Sequence, residues 1–314
     1  MVNRESKSGN RESGIGKREP ETKSCEAAPD TPIHQHTDNE PRSGLQRPTT
    51  NDQRPYLIDL HNHTPRCNHA AGSVDAYIEK AIGEGIDIFG FSDHAPMGFD
   101  PKYRMGLEEM PDYEREVREA AEKYAGAIEV RLGYEVDWLP GYMEERVLKA
   151  EVDYLIGSVH FIHQWGFDNP EFIGRYEGAD IDAIWREYFE LVEAMAKSGW
   201  FDIVGHLDLI KVFKYLPKTD IRLLAEKALD AIKQADMVLE INAAGYRKPI
   251  GEPYPSRALL EMAYERDIPI TFGSDAHTPE QVGFKKEAIR RMAKEVGYTK
   301  AADFKGRERR LIPF

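Results

Sequence analysis

Seven short apolar runs, each followed by a stretch of helical periodicity, set the tightest limit on what this chain can fold into. The runs are YLIDL from Tyr56, IDIFGF from Ile86, AIEVRLGYEV from Ala127, DYLIGSV from Asp153, FDIVG from Phe201, MVLEIN from Met237 and IPITFGS from Ile268. They are too short for buried helices and rich in Ile, Val, Phe and Tyr, which predicts strands. Between them, apolar residues recur at three- and four-residue spacing. Val74, Tyr77, Ile78, Ala81 and Ile82 form one stripe behind the N-cap candidate Ser73, and Ile184, Tyr188, Leu191, Val192 and Met195 form another. A last helix is predicted to open at Thr278-Pro279-Glu280-Gln281, a capping box with proline in the first helical position, and to close near Gly297. Strand and helix in alternation predict parallel pairing. No Pro/Gly/Ser-rich linker divides the roughly 260 residues from Tyr56 onward, a length usual for one α/β barrel. The predicted fold is therefore α/β, a closed or nearly closed barrel of seven parallel strands alternating with helices, over residues 56–314.

Residues 1–55 have a different character. They contain no aromatic residue and few large aliphatics, so they cannot bury enough apolar surface to offset ordering entropy, and a disordered tail is expected. They lack the apolar centre of a secretory signal, and their nine acidic residues disfavour an organelle address. No apolar run approaches the roughly 18–20 residues of a membrane span. The two cysteines, Cys25 and Cys67, form no disulfide framework and fit a reducing, cytoplasmic setting, with Cys67 read as a bystander rather than a ligand. The net charge is −13, and it lies in residues 56–314 because the tail carries equal numbers of each sign. Such a surface repels nucleic acid in bulk, so an anionic substrate must be captured by a local positive cluster or by metal.

Histidine placement is the second constraint. His61 and His63 follow the first predicted strand, His94 the second, His160 the fourth and His206 the fifth, while Asp275 and His277 follow the seventh. Glu135 ends the third strand, and His69 lies in the loop after the first. In a parallel barrel these ends converge on one face, which predicts a single site. His61-x-His63 and Asp275-x-His277 each put two side chains on the same side of an extended segment. Seven imidazoles and two carboxylates exceed what one zinc takes and suffice for two or three divalent ions when a carboxylate bridges. The mixed donor set suits Zn, Mn or Fe rather than Ca or Mg. Clustered divalent ions acidify a water and clamp the oxygens of an in-line displacement, which points to phosphate ester hydrolysis. No nucleophile elbow, Walker loop or dinucleotide fingerprint competes.

The segments DLHNHT, FSDH, YEVD, GSVH, GHLD and GSDAH together resemble the polymerase-and-histidinol-phosphatase (PHP) superfamily across residues 56–314. The resemblance implies a distorted seven-stranded parallel (β/α)7 barrel, TIM-barrel-like, with a trinuclear site. One metal would take His61, His63, Glu135 and Asp275; a second would share Glu135 and take His160 and His206; the third would take His69, His94 and His277. SVHFIHQWGFDNPE from Ser158 and EINAAGYRKPIGEPYPS from Glu240 resemble the monofunctional histidinol-phosphatase branch. That branch implies hydrolysis of the small phosphate monoester L-histidinol phosphate by a metal-bound hydroxide, in histidine biosynthesis. It also implies phosphate-binding roles for Arg175 and Lys211, each of which could equally be an ordinary solvated charge.

Three further residues have open roles. His163, Asp93 or a metal-bound water could supply the leaving-group proton, and Asp93 could instead orient His94. Trp165 could stack on substrate or simply pack its loop. The competing readings are a PHP-type phosphoesterase acting on nucleotides, oligonucleotide ends or phosphotyrosine, and a barrel without catalytic function.

Overall fold

The computed structural model describes residues 54–314, so the expected tail, with Cys25, falls outside the described residues. In chain order the first elements are β1 (Ile58–Asp59), α1 (Val74–Gly83), β2 (Ile88–His94), α2 (Met110–Lys123), β3 (Glu129–Asp137), the single turn α3 (Glu145–Leu148) and β4 (Tyr154–Ser158). A short hairpin of β5 (Phe161–Ile162) and β6 (Trp165–Gly166) follows. Then come α4 (Ile181–Lys197), β7 (Ile203–Val204), α5 (Ile221–Gln234), β8 (Val238–Asn242), α6 (Arg257–Glu265), β9 (Ile270–Gly273) and α7 (Lys286–Val296). A second hairpin, β10 (Lys300–Lys305) and β11 (Glu308–Pro313), completes the fold.

The seven expected strands form one parallel sheet in the order β1-β2-β3-β4-β7-β8-β9. Its edges meet. The amide of Leu60 donates to the Phe272 carbonyl at 2.9 Å, that of Asp275 to the His61 carbonyl at 2.7 Å, and that of His63 to the Ala276 carbonyl at 2.9 Å. The result is the seven-stranded parallel barrel that the alternating pattern predicts, of the distorted kind that the family resemblance implies, with helices turning their apolar stripes inward. In α4 the buried stripe is Trp185, Tyr188, Phe189, Val192 and Met195, each large side chain contributing about 1.5–3 kcal/mol.

Inside the barrel, Tyr154 spans several strands. Its hydroxyl donates to the Leu60 carbonyl at 2.5 Å. A Cβ on Gly133 would fall 2.6 Å from its ring and one on Gly90 2.1 Å from its oxygen, so only glycine leaves it room. The β10–β11 hairpin, which the strand pattern did not foretell, covers the end of the barrel where the strands begin. There Arg131, near the start of β3, donates to Asp303 of β10 at 3.0 and 2.9 Å, and the Thr271 hydroxyl of β9 donates to the Ala302 carbonyl at 2.9 Å. The opposite end, where the strands finish, stays open.

Ser73 caps α1 as expected, its hydroxyl accepting from the Ala76 amide at 3.2 Å. The last helix differs from expectation. Pro279–Gln281 makes only one 3-10 turn, and Thr278 makes no side-chain cap. Gly283 and Lys285 take positive φ values of 67° and 55°, so the helix restarts at Lys286. The Gly283 amide is drawn instead to Asp59 Oδ2, at 3.2 Å.

Candidate metal centre and its cavity

The strand ends place their polar side chains around Glu135. Its Oε2 lies 3.3 Å from His61 Nε2, 3.7 Å from His63 Nε2 and 3.0 Å from His94 Nδ1. Its Oε1 lies 2.8 Å from His206 Nε2 and 3.7 Å from His160 Nε2, and accepts from the Ser158 hydroxyl at 2.7 Å. Asp275 Oδ1 sits 3.3 Å from His63 Nε2 and 3.4 Å from His277 Nδ1. His69 joins through its ring, 4.6 Å from His277 and 5.2 Å from His94. Three groups with donor atoms within 4.8 Å of one another are His61/His63/Asp275, Glu135/His160/His206 and His69/His94/His277; His63/His94/Glu135 overlaps them. Cys67, buried in the turn after β1, also falls within this distance of His63 and His277, while its thiol donates to the Thr64 carbonyl at 3.1 Å.

Two of these residues have a left-handed backbone that non-glycine residues seldom adopt: φ is 22° at His206 and 53° at Asp275. Such conformations persist where surrounding bonds over-determine them. Here the His206 amide donates to Glu240 Oε2 at 2.8 Å, and the Asp275 amide is held by His61.

A second layer of carboxylates fixes the imidazoles. His61 Nδ1 donates to Glu240 at 2.7 Å, His160 Nδ1 to Asp137 at 2.5 Å, and His63 Nδ1 approaches Asp93 at 3.4 Å. A donor nitrogen committed to a carboxylate leaves the other nitrogen basic and aimed. Asp93 is fully buried, bonded to the Thr64 amide and hydroxyl and to the His94 amide. It therefore orients His63 rather than the His94 ring, and it has no path for donating a proton to a leaving group.

Charge follows this arrangement. Burial would raise Glu135, but His61, His94, His160 and the His206 bond outweigh it and hold the carboxyl well below its usual range. Burial would likewise lower His160 and His63, yet Asp137 and Glu135 push the former up to about 10, and Asp275 with Asp93 push the latter to about 9. In the third group burial prevails. His94 falls to about 4, and His69 and His277 are lowered as well.

Above the cluster lies a cavity of about 850 Å³, lined by seven of its members (His69, His94, Glu135, His160, His206, Asp275 and His277) and by residues of the loops that follow β2, β6 and β8. Several expectations fail here. His163 forms the turn of the β5–β6 hairpin with φ of 55°; it is 83% exposed, bonded to Glu187 at 2.6 Å, and does not line the cavity. Trp165 is 5% exposed and packs against Tyr176 with ring centroids 4.8 Å apart, so it packs its loop rather than meeting substrate. Arg175 lies over that indole, 4.8 Å from its centroid, and does not line the cavity. Lys211 is buried, its ammonium donating to Glu252 at 2.8 Å and the Pro253 carbonyl at 2.8 Å and paired with Asp208 at 3.0 Å. That ammonium has nothing left to offer a phosphate.

Among the cationic residues that line the cavity, Lys102 and Arg104 face carboxylates, whereas Arg247 sits beside the cluster. Its Nη2 donates to the Ser274 and Asp275 carbonyls at 2.9 and 2.7 Å, which fixes the guanidinium beside Asp275, while Nη1 is buried without a protein partner. Sequence reading passed over Arg247, Glu240 and Asp137. A signal existed for two of them: Glu135-x-Asp137 and Glu240-x-Asn242 are alternate positions at strand ends, as His61-x-His63 is.

Comparison with known proteins places this arrangement. The PHP domain family model matches residues 59–244, and the PHP-associated model matches 257–285. The chain belongs to the PHP domain family. Within the PHP family it is 42% identical over 246 residues to a Deinococcus radiodurans protein named "Probable histidinol-phosphatase", covering 77% of this chain and 94% of that one. It is 30% identical over 260 residues to the histidinol-phosphatase of Bacillus subtilis, covering 74% of this chain and 97% of that one. Among solved PHP-type structures, the hisK protein of Listeria monocytogenes superposes with a TM-score of 0.66 at 25% identity, covering 74% of this chain and 99% of its own. The histidinol phosphate phosphatase of Lactococcus lactis, solved with zinc, L-histidinol and phosphate, gives 0.66 at 22% identity, covering 81% and 98%, and shows the shared fold.

Proposed function

We propose that this protein is a histidinol-phosphatase, hydrolysing L-histidinol phosphate to L-histidinol and phosphate in histidine biosynthesis with the help of divalent metal ions. The observation that carries the chemistry is the convergence of seven imidazoles and two carboxylates beneath one cavity, with Arg247 beside them. The substrate assignment is supported by the names of the relatives, the first of which shares 42% identity over nearly its whole length.

The residues fit divalent cations. His61 Nε2, His63 Nε2, His94 Nδ1 and His206 Nδ1 are buried nitrogens with no hydrogen-bond partner in the protein, close to two ionised carboxylates. Buried polar atoms without partners are costly unless a ligand satisfies them. His61, His63, Asp275 and Glu135 would hold one ion; Glu135, His160 and His206 a second; His69, His94 and His277 a third. Imidazole with carboxylate suits Zn, Mn or Fe, in two or three sites. When bound, such ions supply Lewis acidity and a water acidic enough to attack phosphorus at neutral pH.

The chain's own residues do the rest. Glu240, Asp137 and Asp93 hold His61, His160 and His63 in fixed orientations. Arg247, preorganised by two carbonyls, offers the phosphoryl oxygens a rigid guanidinium that needs no reorganisation as charge develops. Its fixed charge lies within an acidic molecule, which explains how such a surface can still admit a phosphate ester.

The test is phosphate release by purified protein from L-histidinol phosphate, p-nitrophenyl phosphate and a mononucleotide in parallel. A strong preference in kcat/KM for L-histidinol phosphate is expected. Turnover of the other esters alone would transfer the protein to a different phosphoesterase activity of the same fold.

A further inference from the structure

The cavity has a second chemical character beside its metal-facing floor. Away from the nine clustered residues its wall carries four carboxylates: Asp100, Asp137, Asp168 and Glu171. Three are paired. Asp137 is bonded to Arg104 at 2.6 Å and to His160, Asp100 faces Arg104 at 3.8 Å, and Glu171 faces Lys102 at 3.5 Å. Among the described residues, Asp168 is the one carboxylate of this wall with neither a hydrogen bond nor an ion pair, although it is partly buried. A carboxylate held in a partly desolvated wall without a cation is stabilised by a cationic ligand.

Its position is built rather than incidental. The Phe167 amide donates to the His160 carbonyl at 3.3 Å, and the Asn169 amide donates to the Gly166 carbonyl at 3.3 Å, so Asp168 is strapped between two bonds. Phe167 and Trp165 on the same strap are buried, which fixes the loop. The strap is anchored through Phe167 to His160, the residue that carries a metal-facing imidazole, and the negative charge of Asp168 is felt at both His160 and Tyr254. Phe99 and Phe161, whose rings meet edge to face at 5.2 Å, line the same cavity.

We infer that Asp168 is the specificity-determining residue of the cavity, pairing with the cationic ammonium of an amino-alcohol phosphate whose phosphoryl group sits over the metal-facing floor. This rests on the histidinol-phosphatase reading. In that substrate the ammonium stands on the carbon next to the phosphorylated CH₂. The group that reads it must therefore stand beside the phosphoryl site; Asp168 lines the same cavity as His160, and its neighbour Phe167 is bonded to the His160 backbone.

The test compares kcat/KM for L-histidinol phosphate with that for its deamino analogue, 3-(imidazol-4-yl)propyl phosphate, in the metal-loaded full-length protein and in Asp168→Asn. Wild type is expected to favour the amine-bearing ester, and Asp168→Asn to shrink that ratio by about 10- to 100-fold, the range of a hydrogen bond to a charged group. Asp168→Glu should restore part of the ratio. Because a misfolded or metal-poor variant loses both activities together, the ratio isolates recognition of the amine. A ratio unchanged in Asp168→Asn while wild type prefers the amine-bearing ester would overturn the role of Asp168 alone. A wild-type protein that hydrolyses p-nitrophenyl phosphate and neither imidazole ester would overturn the substrate reading itself.

Discussion

The Nδ1–H of His61 donates to Glu240 Oε1 at 2.7 Å, and the bond turns the other ring nitrogen toward Glu135, 3.3 Å away. Glu240 reaches this place because residue 273 is glycine; a Cβ there would fall 2.1 Å from its Oε1. Its other oxygen accepts from the His206 amide at 2.8 Å and the Asn242 side chain at 3.1 Å. One buried carboxylate thus aligns two candidate ligands from different strands.

Glu240→Gln keeps the volume and removes the charge. Metal affinity is expected to fall about 10- to 100-fold, as for other outer partners of ligating histidines. Turnover should return when metal is added in excess, with the circular dichroism spectrum unchanged. Unaltered affinity in a metal titration would contradict the aligning role.

Glu135→Gln removes the carboxylate that two of the three proposed ions would share. Metal content per chain should drop, and turnover should fall by more than the roughly 10- to 100-fold typical of losing an outer partner. Elemental analysis with kinetics on the same preparation checks this. A variant with full metal and full turnover would show that the cluster is assigned wrongly.

Arg247 and Lys211 make opposite predictions. Arg247→Met should weaken competitive inhibition by inorganic phosphate and lower kcat/KM by about 10- to 100-fold, and Arg247→Lys should rescue little, because an ammonium lacks the planar fork. Lys211→Met should lower thermal stability, since it strands the buried Asp208, and leave the inhibition constant for phosphate in place. The reverse pattern would return Lys211 to the phosphate site.

Asp303→Asn tests the plug at the other end of the barrel. Asp303 is fully buried and accepts from Arg131 and Arg310, so losing its charge leaves a buried guanidinium poorly compensated. A cost of about 3–5 kcal/mol is expected in urea unfolding. A change under about 0.5 kcal/mol, the range of ordinary surface substitutions, would contradict it.

What could be read from sequence divides along physical lines. Strands buried on both faces of a parallel barrel are continuous apolar runs, so Ile88–His94 and Glu129–Asp137 stand out, and the polar residues at their ends mark the open face. The nine-residue cluster was legible for that reason: its members sit where strand periodicity ends. Residues whose roles depend on which neighbour occupies them were not legible. Arg175 and Lys211 lie in suitable loops, yet one stacks on Trp165 and the other is absorbed by Asp208 and Glu252. His163 became a hairpin turn because Phe161–Ile162 pairs with Trp165–Gly166, a register no local pattern announces. The break between Gln281 and Lys286 depends on the Gly283 amide finding Asp59, far away in sequence.

The central claim is that the clustered imidazoles and carboxylates hold metal ions that serve phosphate ester hydrolysis. The most direct measurement is elemental analysis of the purified full-length protein, coupled to L-histidinol phosphate turnover before chelation, after chelation and after readdition of Zn, Mn or Fe. Two or three divalent ions per chain, turnover lost with their removal and recovered on their return, is the predicted result. Full turnover by metal-free protein would contradict it.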